Sequence, residues 1–166
     1  MWPYYPDLLA TPVPRYTSYP TAAEFGDLDP DHYRQALRHA EGDISLYIHI
    51  PFCEKICFYC GCNTAAAGRR QRLESYLDAL HREIVHVAST RVRRIAFGGG
   101  SPNALDPDDF QRLVDALFFN FASPNPTMSI ELDPRTMTRE WAAAINRVGI
   151  ERASLGVQTF ATHCQE

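Results

Sequence analysis

Between residues 44 and 160, four apolar, β-branched runs alternate with three segments of helical periodicity, and this alternation decides most of what the chain can fold into. "ISLYIHIP" (44–51) reads as a buried strand that Pro51 stops. In residues 69–89, Leu73, Leu77, Leu80, Ile84 and Val87 recur at spacings that give a helix one apolar face. "RIAFGGGSP" (94–102) reads as a second strand running into glycines, and residues 106–121 as a helix opened by Asp106 and Pro107. "MSIELDP" (128–134) is a third strand, 138–149 a helix closed by Gly149, and "RASLGVQTF" (152–160) a fourth strand. Strands joined by helical crossovers pair in parallel, so the expected fold class is α/β, part of a (β/α) barrel.

In sheets of this kind ligands sit at the C-terminal strand ends. The unusual residues fall there: cysteines after the first strand, glycines after the second, "ELDP" in the third and "GVQTF" in the fourth. Residues 43–166 are therefore read as the N-terminal part of a barrel core, truncated because no helix follows the fourth strand. Residues 1–42 are read as an irregular arm and a helix. Five of the twelve prolines lie at or before Pro20, yet "PVPRYTSYPTAAEF" is too aromatic for a disordered tail. "DPDHYRQALRHAEG" then reads as a helix, with Asp29 or Asp31 near its start and Gly42 just past its end.

Cys53, Cys57, Cys60 and Cys62 lie within ten residues, in a chain with five cysteines. The N-terminus has no basic region followed by an apolar stretch, and no run is long enough to span a membrane, so a cytoplasmic location is expected. Thiols stay reduced there, and the crowding would strain disulfides. Structural zinc wants two separated pairs, and the fifth cysteine, Cys164, stands alone. Three thiolates at Cys53-x3-Cys57-x2-Cys60 suit an iron–sulfur cluster with one iron left open. The net charge of -4 argues against nucleic acid as a partner.

A Cys-x3-Cys-x2-Cys loop after the first strand and Gly-Gly-Gly-Ser-Pro after the second are the signature of radical S-adenosylmethionine enzymes. More narrowly, "VPRYTSYPTA", "YIHIPFCEKICFYCGCN", "SIELDPR" and "LGVQTF" resemble the oxygen-independent coproporphyrinogen III oxidase family, from about Val13 onward. A haem-chaperone-like branch typically lacks the "PRYTSYPT" arm and has Cys-x-Phe where this chain has Cys60-Gly61-Cys62; both differences point to the oxidase branch.

The resemblance implies a 4Fe–4S cluster on Cys53, Cys57 and Cys60 and S-adenosylmethionine as the second cofactor; Cys62 is read as a neighbouring thiol, with a fourth ligand of the substrate-free site as the alternative. The resemblance places Tyr47 against S-adenosylmethionine, Tyr59 against its adenine, Gly99, Gly100 and Ser101 against the methionine part, and Glu131 and Gln158 on the ribose. The family usually has threonine where Ser101 stands, which keeps the hydroxyl. Plain structural readings stand beside these: a core tyrosine at 47, an exposed loop aromatic at 59, a tight turn at the glycines, a solvated face at Glu131, a bridging amide at Gln158. His49 is read as structural, and no residue is assigned a catalytic role.

The implied activity is oxidative decarboxylation of coproporphyrinogen III to protoporphyrinogen IX through a 5′-deoxyadenosyl radical. Its partners would be the porphyrinogen and an electron donor the sequence does not identify; nucleic acid, membrane and a second copy are not expected. A substrate with several carboxylates needs fixed positive charge. Arg15 and two clusters, Arg69, Arg70, Arg72 and Arg91, Arg93, Arg94, are candidates among which the sequence does not choose. The rival readings are a haem-binding relative of the same superfamily and an inactive fragment.

Overall fold

The computed structural model describes Pro6 and residues 24–40, 42–57, 60–68, 70–87, 91–121, 125–157 and 159–161. The chain divides into two compact units, Met1–Arg38 and His39–Glu166.

The first unit contains helix α1 (Pro30–Arg38). Asp29 Oδ1 accepts from the Asp31 amide at 2.9 Å, which serves a free N–H of the first turn, and Arg34 pairs with Asp31 at 2.7 Å. The helix stops short of the expected end before Gly42, which has φ +78°. The proline-rich arm before residue 24 lies, apart from Pro6, outside the described residues.

The second unit is a four-stranded parallel sheet in the order β1 (Asp43–Ile50), β4 (Arg91–Gly99), β5 (Thr127–Leu132), β6 (Arg152–Leu155). Between them lie α2 (Arg70–Val87), α3 (Pro107–Asn120) and α4 (Arg139–Val148). Local chemistry sets the helix ends. Pro107 occupies the first turn of α3 after Asp106, and Asp108 and Asp109 favour the positive end of its dipole. In α4, Thr138 Oγ1 accepts from the Trp141 amide at 3.2 Å, and Gly149 turns left-handed at φ +79° to end the helix.

The register puts Ile48, Phe97 and Ile130 in one row across the sheet. That row, with Ile50, Ile95, Met128 and Leu132, is buried under Leu73 and Leu77 of α2, Phe110, Leu113 and Leu117 of α3, and Trp141 of α4. Phe110 sits at the centre, its ring 5.1 Å from Phe97 and 5.0 Å from Trp141. Trp141 Nε1 donates to the Leu105 carbonyl at 3.2 Å, so the indole is buried with its polar atom satisfied. Each such aromatic contributes about 1.5–3 kcal/mol by burial.

The other face of the sheet carries Ser45, Tyr47 and His49 of β1, Arg94, Ala96 and Gly98 of β4, Ser129 and Glu131 of β5, and Arg152 and Ser154 of β6. Here the structure departs from the sequence reading. β1 was expected to be buried on both faces, but only alternate residues, Ile48 and Ile50, are. The cause is the one-sided helical cover. The expected strand over 152–160 spans only Arg152–Leu155: the Gly156 amide still bonds Leu132 O at 3.1 Å, but the Val157 amide turns back to Leu155 O. β4 starts three residues earlier than the apolar pattern suggests: Arg91 pairs with Asp43 and Val92 with Ile44, and exposed Arg93 is the extra residue of an irregularity before Arg94 pairs with Ser45. A further feature was not foreseen: β2 (Phe52–Cys53) pairs in parallel with β3 (Ala65–Ala66) and closes the cysteine loop at its neck.

Candidate cofactor site at the strand ends

The glycines after Phe97 bring three chain segments together. A Cβ on Gly98 would lie 2.9 Å from the Tyr47 hydroxyl and 3.1 Å from Glu131 Oε2. On Gly99, whose φ of +115° also demands glycine, it would lie 2.9 Å from the His49 ring. On Gly100 it would lie 2.5 Å from Phe52 O and 2.9 Å from Cys53 Sγ. The Gly100 and Ser101 amides donate to Ile50 O at 2.8 Å and Phe52 O at 2.7 Å. The missing side chains therefore serve the protein's own packing: they let Tyr47, His49, Glu131 and Cys53 crowd the end of β4.

Cys53 sits in β2, and its carbonyl accepts from the Ala67 amide at 2.8 Å. The Cys60 amide donates to Cys57 O at 3.0 Å, which ties the backbones of these two cysteines together within the loop. Cys53, Cys57 and Cys60 are half-buried, Cys62 is exposed, and all four are free thiols. Burial, then the charges of Cys60, Cys57, Asp133 and Cys62, push the Cys53 thiol up. A backbone hydrogen bond from Cys62 holds Cys60 down, while burial and the Cys60 charge raise Cys62. The four sulfurs thus form one electrostatic cluster. Among the described residues no three His, Cys, Asp or Glu side chains converge on a point as a lone ion requires. Three free thiols on one loop are the donor set an iron–sulfur cluster takes, one thiolate to each iron.

Tyr47 is 58% exposed, not the core tyrosine of the plain structural reading. Burial of its hydroxyl, then the Glu131 carboxylate and Cys62, push the Tyr47 phenol up, so it holds its proton more tightly. Glu131 is exposed on the same open face, one strand beyond Gly98. Ser101 has a different setting. It is 6% exposed, its hydroxyl donates to Asn103 Oδ1, and the Asp133 amide donates to its Oγ at 3.2 Å. Through these two hydrogen bonds its hydroxyl braces the turn. Tyr59 and Gln158 lie outside the described residues, as do Arg15 and Arg69.

Four further residues hold the site together: the sequence reading took His49 as structural and missed Asn103, Asp133 and Arg135. His49 Nε2 lies 2.9 Å from Asn63 O, its carbonyl accepts from the Tyr76 hydroxyl, and its ring walls Gly99. Buried Asn103 donates to Asp133 O at 2.8 Å and Thr136 Oγ1 at 2.7 Å, tying the glycine turn to the end of β5. Asp133 accepts from the Arg135 amide and side chain, and Arg135 Nη2 reaches Cys57 Sγ at 3.8 Å. The signal for this pair was "DPR", two polar residues flanking a proline at a strand's C-terminal end.

The Radical SAM superfamily model matches residues 47–165. A protein of Mannheimia haemolytica called oxygen-independent coproporphyrinogen III oxidase is 46% identical over 128 residues, which cover 73% of this chain and 88% of that one. The chain belongs to the oxygen-independent coproporphyrinogen III oxidase family of radical SAM proteins. The Escherichia coli protein of the same name is 41% identical over 159 residues, 92% of this chain and 35% of its own. A solved structure of Escherichia coli coproporphyrinogen III oxidase, described as a radical SAM enzyme, superposes with a TM-score of 0.83 at 39% identity, over 90% of this chain and 36% of that one. The chain spans about a third of the length of most of the relatives it matches. Radical SAM enzymes use a 4Fe–4S cluster and S-adenosylmethionine, and the thiol loop fits the first of these. The glycine turn leaves Tyr47 and Glu131 side by side on the open face, where a ligand with hydroxyl groups is met by an acceptor and a donor.

Proposed function

We propose that this chain carries the cofactor site of an enzyme that oxidatively decarboxylates coproporphyrinogen III. The observation that carries the reading is the clasped loop of free, half-buried thiols set against a three-glycine turn. Cys53, Cys57 and Cys60, as thiolates, hold the cluster. The Glu131 carboxylate accepts from sugar hydroxyls of S-adenosylmethionine, and the neighbouring Tyr47 hydroxyl fixes the adenosyl part; Tyr59, Gln158, Gly99 and Gly100 complete the contacts. Ser101 acts through the turn it braces. When bound, the two cofactors supply one-electron, hydrogen-abstracting chemistry. The substrate loses a hydrogen atom, carbon dioxide and one further electron from each of two propionates, leaving vinyl groups. Electron donor and acceptor come from outside the chain.

The open face also supports an anionic substrate. Arg70 is engaged with Glu74, Asp106 and Asp109, Arg72 stacks 6.0 Å from the Phe52 ring centroid, and Arg91 pairs with Asp43. Among the described residues Arg94 and Arg152 have no such partner, and both lie on the face that carries Tyr47 and Glu131. Among the described residues no helix is long and apolar enough to cross a membrane; the cytoplasm, a monomeric state and no nucleic-acid partner belong to this proposal.

Anaerobic reconstitution followed by electron paramagnetic resonance tests it. The reduced chain should show a cluster signal that changes when S-adenosylmethionine is added. Replacing any of Cys53, Cys57 or Cys60 by serine should abolish the signal and the bound iron. Stoichiometric zinc, or iron retained in all three variants, would overturn the reading; haem binding without turnover of the porphyrinogen by a longer form would favour the haem-binding relative.

A further inference from the structure

Arg135 is placed with more care than a surface arginine needs. Its Nε donates to Asp133 Oδ1 at 2.9 Å and Oδ2 at 3.0 Å, and its Nη2 to Oδ2 at 2.6 Å. The Asp133 side chain is only 13% exposed. Its backbone is fixed in turn, because the amide donates to Ser101 Oγ at 3.2 Å and Asn103 Oδ1 at 3.0 Å, and the carbonyl accepts from Asn103. The short 3-10 turn Pro134–Thr136 holds the arginine directly beside its partner. Nothing in that packing requires the guanidinium to reach further, yet the same Nη2 extends to Cys57 Sγ at 3.8 Å. The carboxylate, guanidinium and sulfur are therefore in series, and the ion pair turns its positive end to the thiol. Among the described residues no other cation is hydrogen-bonded to one of the three ligand thiols.

Hydrogen bonds and positive charge at a cluster's sulfurs stabilise its more reduced, more negative form. We propose that Arg135 is a positioning residue which, clamped by Asp133, raises the reduction potential of the cluster held through Cys57. The inference rests on the cluster assignment made above. It accounts for why a strand-end carboxylate is built into the loop network.

The test compares wild type, Arg135→Gln and Arg135→Lys after anaerobic reconstitution. Iron and sulfide content are measured first, then the midpoint potential by a redox titration followed by electron paramagnetic resonance. With iron content equal to wild type, the ratio of reduced to oxidised cluster in Arg135→Gln at the wild-type midpoint should be about tenfold lower, a fall of about 59 mV for a one-electron couple. Arg135→Lys keeps the charge but not the fork, and should fall by less in the same direction. A merely structural role would change iron content or melting temperature and leave the potential of the remaining cluster where it was. An unchanged or higher potential in Arg135→Gln overturns the inference. If that variant holds no iron, the lysine variant decides by the same sign. A wild-type chain that forms no cluster at all overturns the cluster assignment and this inference together.

Discussion

At the scale of single residues, Asp133 ties charge to stability. The Arg135 side chain is the main cause that holds its carboxyl below the usual range, opposed by burial and helped by the Arg135 amide. A carboxyl depressed on folding contributes stability above its unfolded value, lost as pH falls through the folded one. Asp133→Asn should therefore lower stability by about 1–2 kcal/mol at pH 7, and the difference from wild type should shrink at a pH well below the ordinary carboxylate range. Chemical unfolding at the two pH values checks it; an equal loss at both would mean that packing, not charge, is at stake. The cysteines were legible in sequence because their spacing is itself the chemistry. Asn103 and Arg135 were not, since each acts across 30 or more residues of chain, on Asp133 O and Cys57 Sγ, and no local pattern records such a partner.

At the scale of elements, the glycine turn separates two kinds of tight contact. The Cβ added by Gly100→Ala would press on Phe52 backbone at 2.5 Å, which cannot move without disturbing the β2–β3 pairing. Overpacking of this sort costs about 1–3 kcal/mol. Gly98→Ala meets only the far ends of Tyr47 and Glu131, which can swing aside. It should leave unfolding within about 1 kcal/mol of wild type while weakening S-adenosylmethionine binding about tenfold, as read by calorimetry on the reconstituted chain. Equal destabilisation by both would refute the distinction. Helices α2, α3 and α4 were readable to within a residue or two because Leu73, Leu77 and Ile84, the Asp106–Pro107 pair, and the Thr138 and Gly149 caps write their signals locally. β6 was overestimated because its apolar run continues after the chain has turned away from β5.

At the scale of the molecule, the sheet has one apolar and one polar face, and the arginines that alternation puts on the polar one could be sorted only once register was known. Arg152 is level with Ser129, and Arg94 with Ser45. If they meet substrate carboxylates, Arg152→Gln and Arg94→Gln should each weaken coproporphyrin III binding several-fold, followed by fluorescence, with iron content unchanged. Undiminished affinity in the double variant would return the question to residues outside the described set. The parallel architecture was readable from strand–helix alternation alone. Which face stays open was not, because it depends on three helices all packing on the same side of the sheet. That one-sidedness has a consequence for anything laid across the bare surface. It would find guanidinium, hydroxyl and carboxylate groups and hardly any grease, so its grip would loosen in concentrated salt while the oily side held firm.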